Sequence, residues 1–294
     1  MILNFFRGFC MALADSVPGI SGGTIAFILG FYNKFIDSLN GILSKNTKIR
    51  KESIVFLLKL SLGWLVGIVG SLIFISTIFE KHIYQISSLF IGLILFSVPI
   101  IIREEKKYII GKQKNIIFSL ISLSIVVLIS FISENLVTNI NILDGSYSIA
   151  LLLYIFASGA IAISSMILPG ISGSTILVIL GLYGPILMII KEIAKGNLNH
   201  IYILLVFVIG IICGVLLSVR IIKSLLDNYR TQAIYSILGL MIGSVYTLVE
   251  GPKSLSIPKE AISIETFSIV YFILGGIIIL ILQWVKLYIE RLDK

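Results

Sequence analysis

Charged side chains are scarce in this chain. Asp, Glu, Lys and Arg make up only 13% of its 294 residues, whereas about a quarter of a typical soluble domain is charged. With 57% hydrophobic residues and a mean hydropathy of +1.08, the composition excludes a soluble domain of any size. The apolar runs are long and continuous, which predicts membrane helices, because barrel strands would alternate in polarity over about ten residues.

Cysteine and histidine are rarer still, and their scarcity excludes two further kinds of site. Cys10 and Cys213 lie in apolar sequence, so we expect packing residues and no disulfide framework. His82 and His200 stand in separate polar loops without a set of metal ligands beside them, so we expect no metal and no other cofactor. The net charge of +8 comes from basic residues in short loops, which indicates membrane orientation and not binding to nucleic acid.

One octapeptide occurs twice at a constant separation of 151 residues. The copies are Pro18-Gly19-Ile20-Ser21-Gly22-Gly23-Thr24-Ile25 and Pro169-Gly170-Ile171-Ser172-Gly173-Ser174-Thr175-Ile176, and the register still holds at Tyr32 and Tyr183. Proline and glycine interrupt helices, so each copy predicts a re-entrant hairpin whose arms are shorter than the roughly 20 residues of a full span. The residues expected at the two breaks are Pro18, Gly19, Pro169 and Gly170.

The repeat divides the chain into two halves of one plan, which is a hairpin followed by three transmembrane helices. The predicted first repeat is 1–147, with a hairpin at 1–33 and spans near 54–79, 84–102 and 116–132. The predicted second repeat is 148–294, with a hairpin at 148–190 and spans near 201–219, 233–249 and 267–285. This pattern predicts an all-α polytopic membrane protein. Three spans per repeat are an odd number, so the repeats are expected in inverted topology, with the substrate site at their interface.

Loop charges predict the orientation of the chain. The segments 34–52, 103–115 and 220–232 are basic, whereas the loop 133–147 contains neither Lys nor Arg. The positive-inside rule therefore places the three basic segments and both termini on the cytoplasmic side of the plasma membrane. The oligomeric state is left open by these patterns.

A returning half-helix begins just after each break, with glycine and hydroxyl residues in its first turn. Free N–H groups point outward at a helix N-terminus, and the helix dipole favours an anion there. Two such N-termini meeting near the midplane would bind a phosphate or a carboxylate, while simple helix capping is the alternative role of the same hydroxyls. The predicted anion-binding residues are Ser21, Gly22, Gly23, Thr24, Ser172, Gly173, Ser174 and Thr175.

Asp15 is the acidic residue of the first hairpin, and its counterpart in the second is Met166. A carboxylate at membrane depth costs about 2.5–3.5 kcal/mol, so such residues usually have a function. Asp15 is the candidate for coupling to H⁺ or Na⁺, or for a latch on the opposing break; a cap near the interface is the alternative. Arg7 is a candidate partner for Asp15 or the substrate, although an anchor at the membrane surface is its favoured role.

These motifs resemble those of the PopT-type undecaprenyl-phosphate translocases, formerly a membrane domain family of unknown function. The matching sequences run from Ala14 to Ala26 and from Leu168 to Thr175, and the likeness covers essentially the whole chain. The resemblance implies a flippase that returns the polyprenyl-phosphate lipid carrier from the outer to the cytoplasmic leaflet, for reuse in cell-wall or surface-glycan synthesis. It also implies an inverted repeat with two re-entrant hairpins.

Two other functions compete with this one. A transporter of another small anion, such as phosphate or a carboxylate, would need the same fold and the same N-termini. The sequence Gly19-Ile20-Ser21-Gly22 also fits the Gly-x-Ser-Gly of intramembrane serine proteases. A serine nucleophile needs a base within reach, however, and neither histidine lies in an apolar span. We therefore predict a transporter and not an enzyme.

Overall fold

The computed structural model describes residues 2–15, 21–74, 82–135, 148–254 and 259–292. These residues form helices and connecting turns, without strands, which confirms the all-α prediction. The α-helices in this part of the chain are α1 (Ile2–Asp15), α2 (Gly22–Ile28), α3 (Tyr32–Gly41), α4 (Thr47–Phe74), α5 (Ile83–Glu104), α6 (Lys106–Ile109), α7 (Ile116–Asn135), α8 (Ile149–Ile167), α9 (Gly173–Ile179), α10 (Tyr183–Ala194), α11 (Ile201–Asn228), α12 (Arg230–Glu250) and α13 (Ile269–Leu292).

The chain is a multi-pass membrane protein. Within the described ranges, six helices are long and apolar enough to cross a membrane, namely α4, α5, α7, α8, α11 and α12. Five of them coincide with predicted spans, and the sixth predicted span corresponds to α13, whose segment Ile269–Ile281 is apolar but shorter. The sequence treated α8 only as a hairpin arm, yet its 19 residues are enough for a span and exceed the 14 of α1.

The two halves share one packing pattern. Helix α1 packs along α4 as α8 packs along α11, and α5 packs on α13 as α12 packs on α7. In α4, a side chain at Gly63 would strike the backbone carbonyl of Phe5; in α11, one at Gly210 would strike that of Phe156. Phe5 and Phe156 are separated by the same 151 residues as the two octapeptides. Gly63 of α4 and Gly210 of α11 are therefore equivalent positions in the two halves.

Replacement of Gly63 by alanine is expected to lower the free energy of unfolding by about 1–3 kcal/mol, the usual cost of overpacking a close contact. Gly70→Ala, on the same helix, is the matched control, because no atom of the described residues lies within 4 Å of a Cβ there. Both substitutions gain the same helix propensity, so their difference reports the contact with α1. Unfolding in detergent measures it, and equal stabilities of the two variants would contradict this helix contact.

Ion pairs join the three basic segments to one another. Lys223 of α11 pairs with Asp37 of α3, and Nη2 of Arg230 in α12 lies 2.6 Å from Oε1 of Glu105, at the end of α5. The three segments therefore share one end of the molecule, hereafter the basic face. That grouping agrees with the loop charges, while the assignment of this face to the cytoplasm remains a prediction.

Candidate functional site

The two octapeptides contact each other directly. The backbone N–H of Gly170 donates to Oγ1 of Thr24 at 2.8 Å, and the hydroxyl of Ser21 donates to the carbonyl oxygen of Leu168 at 3.0 Å. The side chains of Ser21 and Thr24 are fully buried, with 0% exposure. We call this contact the hairpin junction, defined by Ser21, Thr24, Leu168 and Gly170. It brings together two stretches that are far apart in the sequence.

The first motif also caps its own half-helix. Ser21 has the extended backbone of an N-cap residue, with φ −122° and ψ 152°, and its Oγ accepts the N–H of Thr24 at 3.2 Å. The two hydroxyl oxygens lie 3.1 Å apart. Capping, the alternative role of these hydroxyls, is therefore observed for Ser21. Each hydroxyl also bonds to the opposite half, which a simple cap would not do.

Glycine is required where the halves pass each other. A Cβ at Gly23 would strike the carbonyl oxygen of Ile167 and lie 3.1 Å from that of Met166. Gly22 has less space than an ordinary Cβ needs, since a Cβ there would lie 2.9 Å from the side-chain oxygen Oδ2 of Asp15. The first turn of α2 therefore packs against the backbone at the end of α8, and only hydrogen fits between them.

The carboxylate of Asp15 lies at the beginning of α2. Its Oδ1 accepts the backbone N–H of Gly22 at 2.5 Å, and its Oδ2 accepts the indole N–H of Trp64 at 2.9 Å. The carboxyl group of Asp15 therefore occupies the helix N-terminus at which the sequence predicted a bound anion. Sequence reasoning missed Trp64, because a tryptophan in a span is usually a core or interface aromatic. The sequence did contain one sign of such a partner: a carboxyl group in an apolar segment needs a hydrogen-bond donor nearby.

Arg7 contacts residues other than Asp15, its candidate charge partner. Its Nη1 donates to Oδ1 of Asn4 at 3.0 Å, and its guanidinium lies 4.7 Å from the ring centroid of Phe31. Arg7 lies near the middle of α1 and Asp15 is its last residue, about two turns further along. The described contacts of Arg7 are therefore with Asn4 and with Phe31, the residue just before α3.

The second motif has a different arrangement. Gly170 has a φ of +92°, a conformation that glycine adopts freely, and the backbone of Leu240 lies directly against it. The hydroxyl oxygens of Ser172 and Ser174 lie 2.7 Å apart, and one of these two hydroxyls donates a hydrogen bond to the other. Ser174 and Thr175 are half-buried, unlike Ser21 and Thr24 of the first motif. The two copies are therefore similar in sequence but differ in their hydrogen-bond partners and in their burial.

The predicted breaks are partly described. Pro169 and Gly170 lie in the turn that follows α8, whereas Pro18 and Gly19 lie outside the described residues. Sequence reasoning missed a second turn in each hairpin. The half-helices α2 and α9 have seven residues each and end just before Gly30 and Gly181, whose φ values are +70° and +66°. After the second of these turns the chain bends by 108° into α10.

A cavity of about 340 Å³ opens beside the hairpin junction. We call it the junction cavity; its polar end is formed by Asp15, Gly22 and Trp64, and Gly23 and Met166 lie beside them. The remaining wall consists mainly of apolar side chains from α3, α4 and α8, and its size is typical of ligand pockets. Among the described lining residues, Asp15 is the ionisable one. Such a space suits a molecule with a small polar head and an apolar chain.

Paired broken helices that meet at an internal polar contact are the architecture of membrane transporters. The chain belongs to the undecaprenyl phosphate translocase-like family, whose model matches residues 11–266, and this confirms the resemblance carried by the octapeptides. It is 34% identical over 264 residues to the polyprenyl-phosphate transporter of Vibrio cholerae, covering 86% of this chain and 79% of that protein. It is 30% identical over 280 residues to the polyprenyl-phosphate transporter of Staphylococcus aureus, covering 95% of each. No solved structure matches the chain.

Proposed function

We propose that this protein transports a polyprenyl phosphate, specifically undecaprenyl phosphate, from the outer to the cytoplasmic leaflet of the plasma membrane. The observation that carries the proposal is the hairpin junction beside a cavity with one polar end and an apolar wall. The names of the two relatives, both polyprenyl-phosphate transporters, support the same class of substrate. The inverted arrangement of the two halves is part of the proposal.

The phosphate head needs protein donors because its passage through bare hydrocarbon is prohibitively costly. Two donors at the polar end of the junction cavity are the backbone N–H of Gly22 and the indole N–H of Trp64, and both are bonded to Asp15. We therefore propose that the phosphate replaces the carboxylate of Asp15 on these donors. When the halves rock apart, the hydroxyls of Ser21 and Thr24 become available in the same way.

The isoprenoid chain distinguishes this substrate from a small water-soluble anion. A free phosphate or carboxylate needs polar groups on all sides, whereas most of the wall of the junction cavity is apolar. An amphiphile keeps its chain against that wall and its head at the polar end. The serine hydrolase alternative is not supported, since Ser21 is fully buried and no histidine lines the cavity among its described residues.

Coupling to an ion gradient is the remaining part of the proposal. Asp15 is the ionisable residue at the polar end of the junction cavity. Binding of H⁺ or Na⁺ to its carboxylate would neutralise the charge that repels the phosphate. The ion and the phosphate would then move in the same half-cycle, and both would be released on the cytoplasmic side.

Leaflet-resolved transport of undecaprenyl phosphate in proteoliposomes tests the function. We expect protein-dependent translocation, and a roughly thirtyfold lower rate for Ser21→Ala/Ser172→Ala, since the two lost neutral hydrogen bonds cost about 1 kcal/mol each and about 1.4 kcal/mol is a tenfold change. The matched control is Ser97→Ala/Ser244→Ala; both serines are buried and, among the described residues, each donates to a carbonyl of its own helix. Folded protein that moves no lipid phosphate but accumulates inorganic phosphate or a carboxylate would establish the small-anion alternative instead.

A further inference from the structure

A second cavity, of about 470 Å³, lies at the basic face between α1, α3 and α4. It is separate from the junction cavity, since the two have no lining residue in common. We call it the lysine cavity. The polar residues that matter for its chemistry are Asn4, Lys34, Asp37, Glu52 and Lys59.

Two ammonium groups line this cavity. Lys59 is half-buried within the apolar span of α4, where a charged residue is usually functional, and Lys34 of α3 lies 5.3 Å from the ring centroid of Phe56. In the described part of the chain, neither lysine is within ion-pair distance of a carboxylate. Asp37 pairs instead with Lys223. With Glu52 as the other carboxylate, the lining carries two positive and two negative formal charges, and the pairing of Asp37 with Lys223 leaves both ammonium groups of the cavity open to an anionic ligand.

The other half of the molecule indicates that the fold does not need this cavity. By the correspondence set by the octapeptides and the glycines of α4 and α11, Asn4, Lys34 and Lys59 have apolar counterparts. These counterparts are Ile155, Pro185 and Val206. Ile155 is fully buried in an apolar cluster between α8, α10 and α11, the same place in the second half. In the second half, apolar side chains thus fill the space between the equivalent helices, whereas in the first half that space is a cavity lined by two lysines.

The surroundings indicate an amphiphilic ligand. On the outside of α4, next to Lys59, Val55, Leu58 and Leu62 are exposed, and these face lipid in a membrane span. A molecule bound in the lysine cavity therefore has charge partners on one side and hydrocarbon on the other. Lysine is a point charge with three donors, and it binds phosphate groups without a fixed geometry.

We propose that the lysine cavity binds the phosphate group of a lipid at the basic face, with Lys34 and Lys59 as its charge partners. Two lipids carry this chemistry, the transported polyprenyl phosphate and an anionic phospholipid of the bilayer. For the first of these the proposal rests on the proposed function, and the cavity is where the head arrives at, or leaves from, the basic face. For the second it is a site for a resident membrane lipid.

Photolabelling of the intact protein in proteoliposomes tests the site. The probe is a short-chain polyprenyl monophosphate with a diazirine next to the phosphate, and the labelled peptides are mapped by mass spectrometry. We expect adducts on α3 and α4 around the lysine cavity. Lys34→Gln/Lys59→Gln should raise the probe concentration for half-maximal labelling there roughly tenfold to thirtyfold, given the attraction of two basic residues for a lipid phosphate. Lys34→Arg/Lys59→Arg should keep most of the labelling.

The matched control is Lys45→Gln/Lys48→Gln, which removes the same charge from exposed positions outside the cavity. Competition assigns the source of the ligand: unlabelled polyprenyl monophosphate or phosphatidylglycerol, whichever displaces the probe at lower concentration, is the lipid bound there. Labelling that Lys34→Gln/Lys59→Gln leaves unchanged, or that the control reduces equally, would overturn the proposal. Failure of the proposed function is distinguishable, because the wild type would then bind the phospholipid in the lysine cavity without moving polyprenyl phosphate.

Discussion

Gly23→Ala is expected to reduce the rate of lipid phosphate transport by about a hundredfold. The new methyl group would push against the carbonyl oxygens of Ile167 and Met166, which are backbone atoms that cannot rotate away. Overpacking of this kind costs about 1–3 kcal/mol, and about 2.8 kcal/mol corresponds to a hundredfold change in an equilibrium. The halves would then be held apart at the hairpin junction. The initial rate in the leaflet-resolved assay measures the effect.

The control for this variant is Gly184→Ala in α10. Both glycines lie in the first turn of a helix, but within the part of the chain that the structure describes no atom is within 4 Å of a Cβ at position 184. We expect the rate of Gly184→Ala to equal that of the wild type. Elution as a single species in detergent establishes that Gly23→Ala has folded. A folded Gly23→Ala protein with a normal rate would mean that close contact of the two motifs is not a step of transport.

Asp15→Asn is expected to abolish stimulation by an imposed ion gradient and to reduce the rate roughly tenfold to a hundredfold. The amide is neutral, so it no longer binds a coupling ion as the carboxylate does. It also presents N–H groups to Gly22 or Trp64, which are donors themselves, and an unsatisfied buried donor costs about 1–3 kcal/mol. Transport is measured with and without pH and Na⁺ gradients.

Trp64→Phe separates the role of the charge from that of the hydrogen bond. This variant loses one donor to Asp15 but keeps the carboxylate and an aromatic ring of related shape. We expect a lower rate that still responds to the gradient. A gradient response that survives in Asp15→Asn would place the coupling site on another residue, and the carboxylate would then be only a latch on α2.

The hairpins were accessible from the sequence because their signals are local. A proline followed at once by a glycine favours an interruption of the helix, and the second copy of the octapeptide repeats that local signal. The partner of Asp15 was not accessible in this way. The position of Trp64 beside Asp15 depends on how α1 lies against α4, and that packing is set by close contacts such as Gly63 with Phe5. Such contacts join residues about fifty positions apart, and no local sequence pattern in either segment indicates which residues will meet.

The difference between the two motifs was also beyond the sequence. Ser21 and Ser172 occupy equivalent positions, yet one bonds across the hairpin junction and the other bonds to Ser174. Local patterns predict that a hydroxyl begins a half-helix, but its partner depends on the neighbouring half. The seven-residue length of α2 and α9 was missed for another reason: a glycine such as Gly30 is tolerated within helices, so its positive φ was not predictable.

The hairpin junction has a consequence for the biogenesis of the protein. The first half provides the acceptor for Gly170, and the second half provides the acceptor for Ser21, so each break is completed by the other. The ribosome delivers the first half to the membrane while the residues from Leu168 onward are still to be made. During that interval its polar break has no partner in the second half, and unsatisfied polar groups are costly in hydrocarbon. Insertion of the second hairpin is therefore the step that makes the first one stable, and a truncated first half is expected to be a substrate for membrane proteases.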